Sequence, residues 1–248
     1  MKQMSLFLTL LLVACAHTKQ SAQSVEIPNL QRDCESQIIN HTGFTVSYNQ
    51  TWCIPNWVAY EITEEEANGQ VPRSKDFCPD PDVVGYTSTT DDYKRSGYDR
   101  GHMAPAGDMK WSEQAMKESF YMSNICPQAK YLNLGLWLDL ENLVRVWAKK
   151  YGSLYVVCGP IVADYYETIG ESSVAVPESF FKVLCRCDNG QYQAIGFLFP
   201  NKECYGSLYD YALTIDSIET LTNIDFFPIL EDDVENKMEA EIDISKWK

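Results

Sequence analysis

Asp99-Arg100-Gly101-His102-Met103-Ala104-Pro105-Ala106-Gly107-Asp108 is the stretch from which the rest of this 248-residue chain can be read. The chain holds three histidines, His17, His41 and His102, and only His102 has an arginine two residues before it and glycines on both sides. Neutral imidazole is the side chain best suited to accept a proton near neutral pH. Arginine is best shaped to hold a phosphate or carboxylate with two parallel hydrogen bonds. A base beside an anion clamp points to hydrolysis of a phosphate ester. A free imidazole titrates at about 6.5, so activity is expected to fall at acid pH as His102 protonates. His41 has no such surroundings and reads as a structural or surface residue. Asp108 reads as a turn or capping residue.

Downstream, Ser123-Asn124-Ile125-Cys126-Pro127-Gln128 leads into one helix predicted from about Ala129 to Lys150, closed by Gly152. Asn133, Trp137, Glu141 and Arg145 recur on it every fourth residue. Steps of four drift about 40° each, so the set spans one broad face about 120° wide. Asn133 and Glu141 then stand about 12 Å apart along the axis, too far to bind one ion directly together. Asn133 as inner ligand, with Glu141 holding the ion's water shell, suits Mg²⁺, which retains several waters. The plainer readings are a solvated asparagine and a surface Glu141–Arg145 pair worth about 0.3–0.5 kcal/mol. Trp137 reads as core, as do Tyr155, Phe197 and Phe199.

The surrounding pattern is that of one α+β domain. Phe44–Tyr48, Trp57–Ile62, Leu154–Val157, Phe180–Cys187 and Tyr192–Phe199 read as strands, with Asn189-Gly190 a hairpin turn between the last two. Ser112 is a predicted N-cap. Residues 64–92 read as irregular loop. The net charge of −15 argues against tight, processive binding of a polyanion. It leaves room for a local basic cleft, because surface charges beyond about 10 Å are largely screened.

The N-terminus reads as an export signal. Lys2 precedes an apolar run from Leu6 to Val13, too short for a span of about 20 residues. Leu12-Val13-Ala14-Cys15 resembles a bacterial lipobox with Cys15 as the lipidated residue; cleavage after Ala16 is the alternative. Residues 1–15 are thus expected to be a signal peptide, 16–37 a tether, 38–230 the domain and 231–248 an acidic tail, partly disordered. The expected location is exported, as an outer-membrane lipoprotein of a bacterium, periplasmic or extracellular, held to the membrane by lipid at Cys15. Removing Cys15 from the nine cysteines leaves eight, an even number that permits disulfides in an exported chain.

Asp99-Arg100-Gly101-His102, together with Gln128, Asn133, Trp137, Glu141 and Arg145, closely resembles the DNA/RNA non-specific endonucleases of the ββα-metal superfamily. Pro55-Asn56-Trp57, Gly159-Pro160, Val176-Pro177, Phe197-Leu198-Phe199-Pro200-Asn201 and Asp225-Phe226-Phe227 share the likeness, which runs from about Phe44 to Leu230. The resemblance implies a mixed, largely antiparallel sheet flanked by helices, with the active site where a β-hairpin crosses the Asn133 helix. It implies His102 as general base, and Asn133 as the one direct protein ligand of a single Mg²⁺ or Mn²⁺. Glu141 would position metal-bound water, and Arg100 and Arg145 would clamp the scissile phosphate. Arg73 resembles a further phosphate-binding arginine. Asn124 would orient the site, and Asp99 is assigned a structural place beside it. DNA and RNA are the implied substrates. The rival readings are an inactive nucleic-acid-binding surface lipoprotein and a phosphodiesterase for small nucleotides.

Overall fold

A computed structural model describes residues 24–248; Cys15, and with it the signal-peptide and lipobox reading, lies outside the described residues. The chain runs through β1 (Asn29–Leu30), β2 (Gln37–Asn40), β3 (Thr45–Asn49), β4 (Ile54–Thr63), β5 (Tyr98–His102), α1 (Glu113–Glu118) and β6 (Ile125–Ala129). Next come α2 (Lys130–Asn133), α3 (Leu136–Tyr151), β7 (Ser153–Ile161), β8 (Thr168–Ile169) and β9 (Val174–Ala175). It closes with β10 (Ser179–Asp188), β11 (Gln191–Pro200), β12 (Ala212–Leu213), α4 (Ile215–Thr222), β13 (Ile224–Asp225) and α5 (Asp232–Ala240). The expected α+β architecture is what forms.

Seven strands make one antiparallel sheet in the order β12-β11-β10-β7-β4-β3-β2. The β10–β11 hairpin turns on Asn189 and Gly190, whose φ values of 50° and 78° are the left-handed pair that such a turn requires. Alternation along β10 builds two cores. Phe180 and Leu184 enter the core on the α3 side, while Phe181, Val183 and Cys185 enter the core that holds Ile215, Ile218 and Met238. α3 buries Trp137, Leu140, Val144, Trp147 and Ala148, a stripe of helical period, against the first face. Lys182 falls between Phe180 and Leu184 in this alternation and is fully buried.

The predicted single helix is two. α2 ends at Asn133 and α3 begins at Leu136, with Gly135 at the junction. A Cβ on Gly135 would collide with the Tyr131 carbonyl, so the close approach of the chain there requires glycine. The face drawn from Asn133 to Arg145 on one straight helix therefore does not exist.

Three other expectations are corrected. From Ser24 the presumed tether packs on the domain: β1 pairs with β13, Val25, Ile27 and Leu30 join the second core, and Arg32 donates to Asn56 at 3.1 Å. The acidic tail is ordered as α5 and a 3₁₀ turn, because Trp247 is only 1% exposed and meets Trp147 edge-on at 4.9 Å. Its charge conceals two apolar anchors, Met238 and Trp247. All eight cysteines from Cys34 to Cys204 are free, so the expected disulfides are absent among the described residues. Cys126, Cys158 and Cys185 lie on β6, β7 and β10 as small buried packing residues. No helix among the described residues is long and apolar enough to cross a membrane.

Candidate active site

The site is assembled on β5, β6 and the two helices that follow. β5 and β6 pair antiparallel with His102 opposite Ile125 and Asp99 opposite Gln128. Asn124, just before β6, locks the chain beyond His102. Its side-chain oxygen accepts from the Ala104 amide at 2.8 Å and its Nδ2 donates to the Ala104 and Ser119 carbonyls, both at 2.9 Å. Asn124 thus fixes the backbone that follows His102.

His102 lies between two phenyl rings, Phe77 at 5.3 Å and Phe120 edge-on at 4.8 Å. Each ring carries an arginine: Arg100 sits 4.4 Å above Phe77 and Arg73 sits 5.2 Å above Phe120. Burial, reinforced by the Arg73 and Arg100 cations, pushes the imidazole down to about 3. Its Nε2 is buried and has no hydrogen-bond partner. The imidazole is therefore neutral throughout pH 5–8, and the expected acid limb from His102 does not fall in that range.

Asp99 and Asn133 meet directly, Asn133 Nδ2 donating to the carboxylate at 3.0 Å. That bond takes the amide nitrogen and leaves the carbonyl oxygen as the end open to a cation. Asp99, Asn133, Arg100 and Phe77 line one cleft. A second cleft holds Glu141 and four cations, Arg73, Lys110, Arg145 and Lys149. This is the local basic surface that the net charge hides. Arg73 acts electrostatically on both His102 and Glu141 and so links the two halves.

Asp108 lies in a turn, as read, its amide donating to the Pro105 carbonyl at 2.9 Å, but its side chain is engaged elsewhere. It is 1% exposed and accepts from Arg145 Nη1 at 2.5 Å and from the Tyr60 hydroxyl at 2.8 Å. Asn142 takes Arg145 Nη2 at 2.6 Å, so both ends of the guanidinium fork are aimed. Gly107 gives the guanidinium its room, since a Cβ there would stand 2.6 Å from Nη1. The motif that contains His102 therefore also positions the Arg145 guanidinium.

Sequence reasoning missed Lys182. Its Nζ is buried with no hydrogen-bond partner and stands 4.5 Å over the Trp137 ring. Burial pushes the Glu141 carboxyl up to about 7, against the pull of the Lys182 ammonium. The available signal was a lone lysine inside the apolar run Phe180-Phe181-Lys182-Val183-Leu184. His41, as read, is structural: its Nε2 pairs with Asp80 at 3.0 Å.

Comparison with known proteins agrees with this geometry. Residues 22–233 match the family model described as DNA/RNA non-specific endonuclease. The chain is 36% identical over 208 residues to the mitochondrial nuclease EXOG of Danio rerio, covering 77% of this chain and 61% of that one. It is 34% identical over 208 residues to the mitochondrial endonuclease G of Bos taurus, covering 78% and 70%. The chain thus spans about three fifths of the length of the EXOG relatives it matches. A solved EndoG/EndoGI complex, described as showing the mechanism of EndoG inhibition, superposes with a TM-score of 0.75 and 31% identity, over 80% of this chain and 89% of that one. The relatives carry mitochondrial names, and that overturns the expected bacterial outer-membrane location with its lipid anchor. A short apolar run ending in small residues and a cysteine is too generic to specify one address.

Proposed function

The chain belongs to the DNA/RNA non-specific endonuclease family, and we propose that it is itself a metal-dependent endonuclease hydrolysing phosphodiester bonds of DNA and RNA without sequence preference. The observation that carries this reading is the neutral His102, its Nε2 unpartnered and arginines on both flanks. His102 takes a proton from water at Nε2 as the water oxygen bonds to phosphorus and the bond to the 3′-oxygen breaks. Arg100, Arg145 and Arg73 hold the phosphate oxygens, the second aimed in advance by Asp108 and Asn142. Contacts of this kind go to phosphate and carry no base information.

The donors fit a hard divalent cation, Mg²⁺ or Mn²⁺: the free Asn133 carbonyl oxygen would hold it, and Glu141 would hold its water shell. Bound there, such an ion supplies charge neutralisation at the phosphorus centre and the departing oxygen. The test is incubation of the purified protein with plasmid and with RNA, in Mg²⁺ and in EDTA. Cleavage of both polymers in Mg²⁺ alone is expected; no metal-dependent cleavage of either would remove the reading.

Two further outcomes follow from the clefts. Glu141 must be ionised to accept from bound water; burial pushes its carboxyl up to about 7, and a bound cation draws that point down toward acid. Activity should therefore fall about tenfold per pH unit below that point and level off above it. In Glu141→Gln the residual rate should lose this limb; a limb that persists would assign it elsewhere. Lys110 and Lys149 extend the cation row beyond Arg73 and Arg145. The double variant Lys110→Ala/Lys149→Ala should raise KM for long DNA with kcat kept. Its log affinity should also depend on log salt less steeply, by up to about two units of slope. An unaltered slope would mean that neither lysine meets a phosphate.

A further inference from the structure

Away from the clefts, a cluster of carboxylates has the makings of a cation site. On the sheet face opposite α3, Asp216 and Glu219 of α4 and Glu239 of α5 converge, each offering one carboxylate oxygen within 4.8 Å of the other two. Asp216 is exposed and Glu219 is half-buried. One Glu219 oxygen is spoken for, accepting from the Phe226 amide at 2.8 Å. Glu239 is different in kind. It is only 6% exposed, it comes from the other helix, and its Oε1 is buried without a hydrogen-bond partner. The charged groups acting on it are Glu219, Glu235, Asp216 and Asp225, all acidic.

A buried carboxylate that faces only carboxylates must take up either a proton or a cation, and a cation shared with its neighbours replaces that proton. The oxygen spacing suits one: with bonds of about 2.3–2.6 Å, Ca²⁺ bridges oxygens up to roughly 5 Å apart and accepts irregular geometry. Asp216 leaves an open side for entry and for water ligands. α5 buries only Met238 and Glu239, the first against the sheet and the second toward α4.

We propose that Asp216, Glu219 and Glu239 form a structural site for a hard divalent cation of the Ca²⁺ class, which clamps α5 onto α4. It is separate from the catalytic cleft and independent of the nuclease reading.

The test is thermal unfolding of the full chain in EDTA and in Ca²⁺, run in parallel on Asn133→Ala so that a response from the catalytic cleft is subtracted. At about 100-fold the dissociation constant, Ca²⁺ should raise Tm by about 5 °C or more in both proteins. Glu239→Gln should lose the response yet melt in EDTA no lower than the parent, because without the cation burial among carboxylates holds Glu239 protonated and glutamine is its neutral isostere. Asp216→Asn, at an exposed position, should weaken the apparent Ca²⁺ affinity at least about tenfold while leaving the fold intact. The site is overturned if the parent and Asn133→Ala ignore Ca²⁺, if Glu239→Gln keeps the full response, or if Glu239→Gln melts well below the parent in EDTA.

Discussion

His102→Ala should lower kcat by about 10³–10⁴-fold on DNA and RNA alike, the upper range for loss of a positioned proton acceptor, or about 4–5 kcal/mol of barrier. Affinity for uncleaved DNA should survive, because phosphate is held by cations on other elements: Arg73 before β5, Arg145 on α3, and Lys110 and Lys149 along the second cleft. Alanine also opens a hole between Phe77 and Phe120, so some stability is lost with the base. His102→Leu separates the two effects by keeping apolar bulk between the rings without a basic nitrogen. Both variants should be comparably inactive while His102→Leu remains the more stable. A His102→Leu protein retaining even a tenth of the parent rate would remove the imidazole from the proton transfer.

The same imidazole should govern part of the acid stability. Its pKa is about 6.5 in the unfolded chain and about 3 in the folded one, depressed first by burial and then by Arg73 and Arg100. The folded state therefore binds fewer protons through that window. The stability this residue contributes is complete above the unfolded value and is lost as pH falls toward the folded one. At about 1.4 kcal/mol per unit, the loss reaches about 5 kcal/mol, a large share of a typical 5–15 kcal/mol. Glu141 and Glu235, both pushed up to about 7 chiefly by burial, and Glu239, pushed up to about 9 likewise, run the opposite way. The measurable quantity is thus a difference. Denaturant unfolding in EDTA should show parent minus His102→Leu stability shrinking by several kcal/mol from pH 7 to pH 4. A difference that stays constant with pH would mean that the ring titrates normally.

The particular residues show how far the linear chain could be read. Strand and hairpin positions were legible because period-two burial and the Asn189-Gly190 turn are local properties. The proposed base stood out in the chain because an isolated histidine framed by arginine and glycine has few structural explanations. The break before α3 was not, since Gly135 is demanded by the Tyr131 carbonyl of the preceding turn and leaves no mark on the hydrophobic period. Nor was the ordering of the C-terminal segment, where charge count outweighed Met238 and Trp247 in the reading but not in the packing.

By itself the sequence determined the family and the antiparallel α+β frame, and it supplied the residues to which the proposed chemistry assigns a base, an arginine clamp, an amide for a cation and a carboxylate for its waters. Those assignments depend on side-chain type and short-range spacing, which the chain carries along its length. Only the tertiary structure decided how the groups act on one another. It gave the turn residue Asp108 a buried place as the anchor of Arg145, tied Asn133 to Asp99, set His102 between Phe77 and Phe120, and placed Lys182 near Glu141. Burial and charge proximity arise between residues as far apart in sequence as Arg73 and Lys182, so they exist only once the sheet and α3 have closed over them.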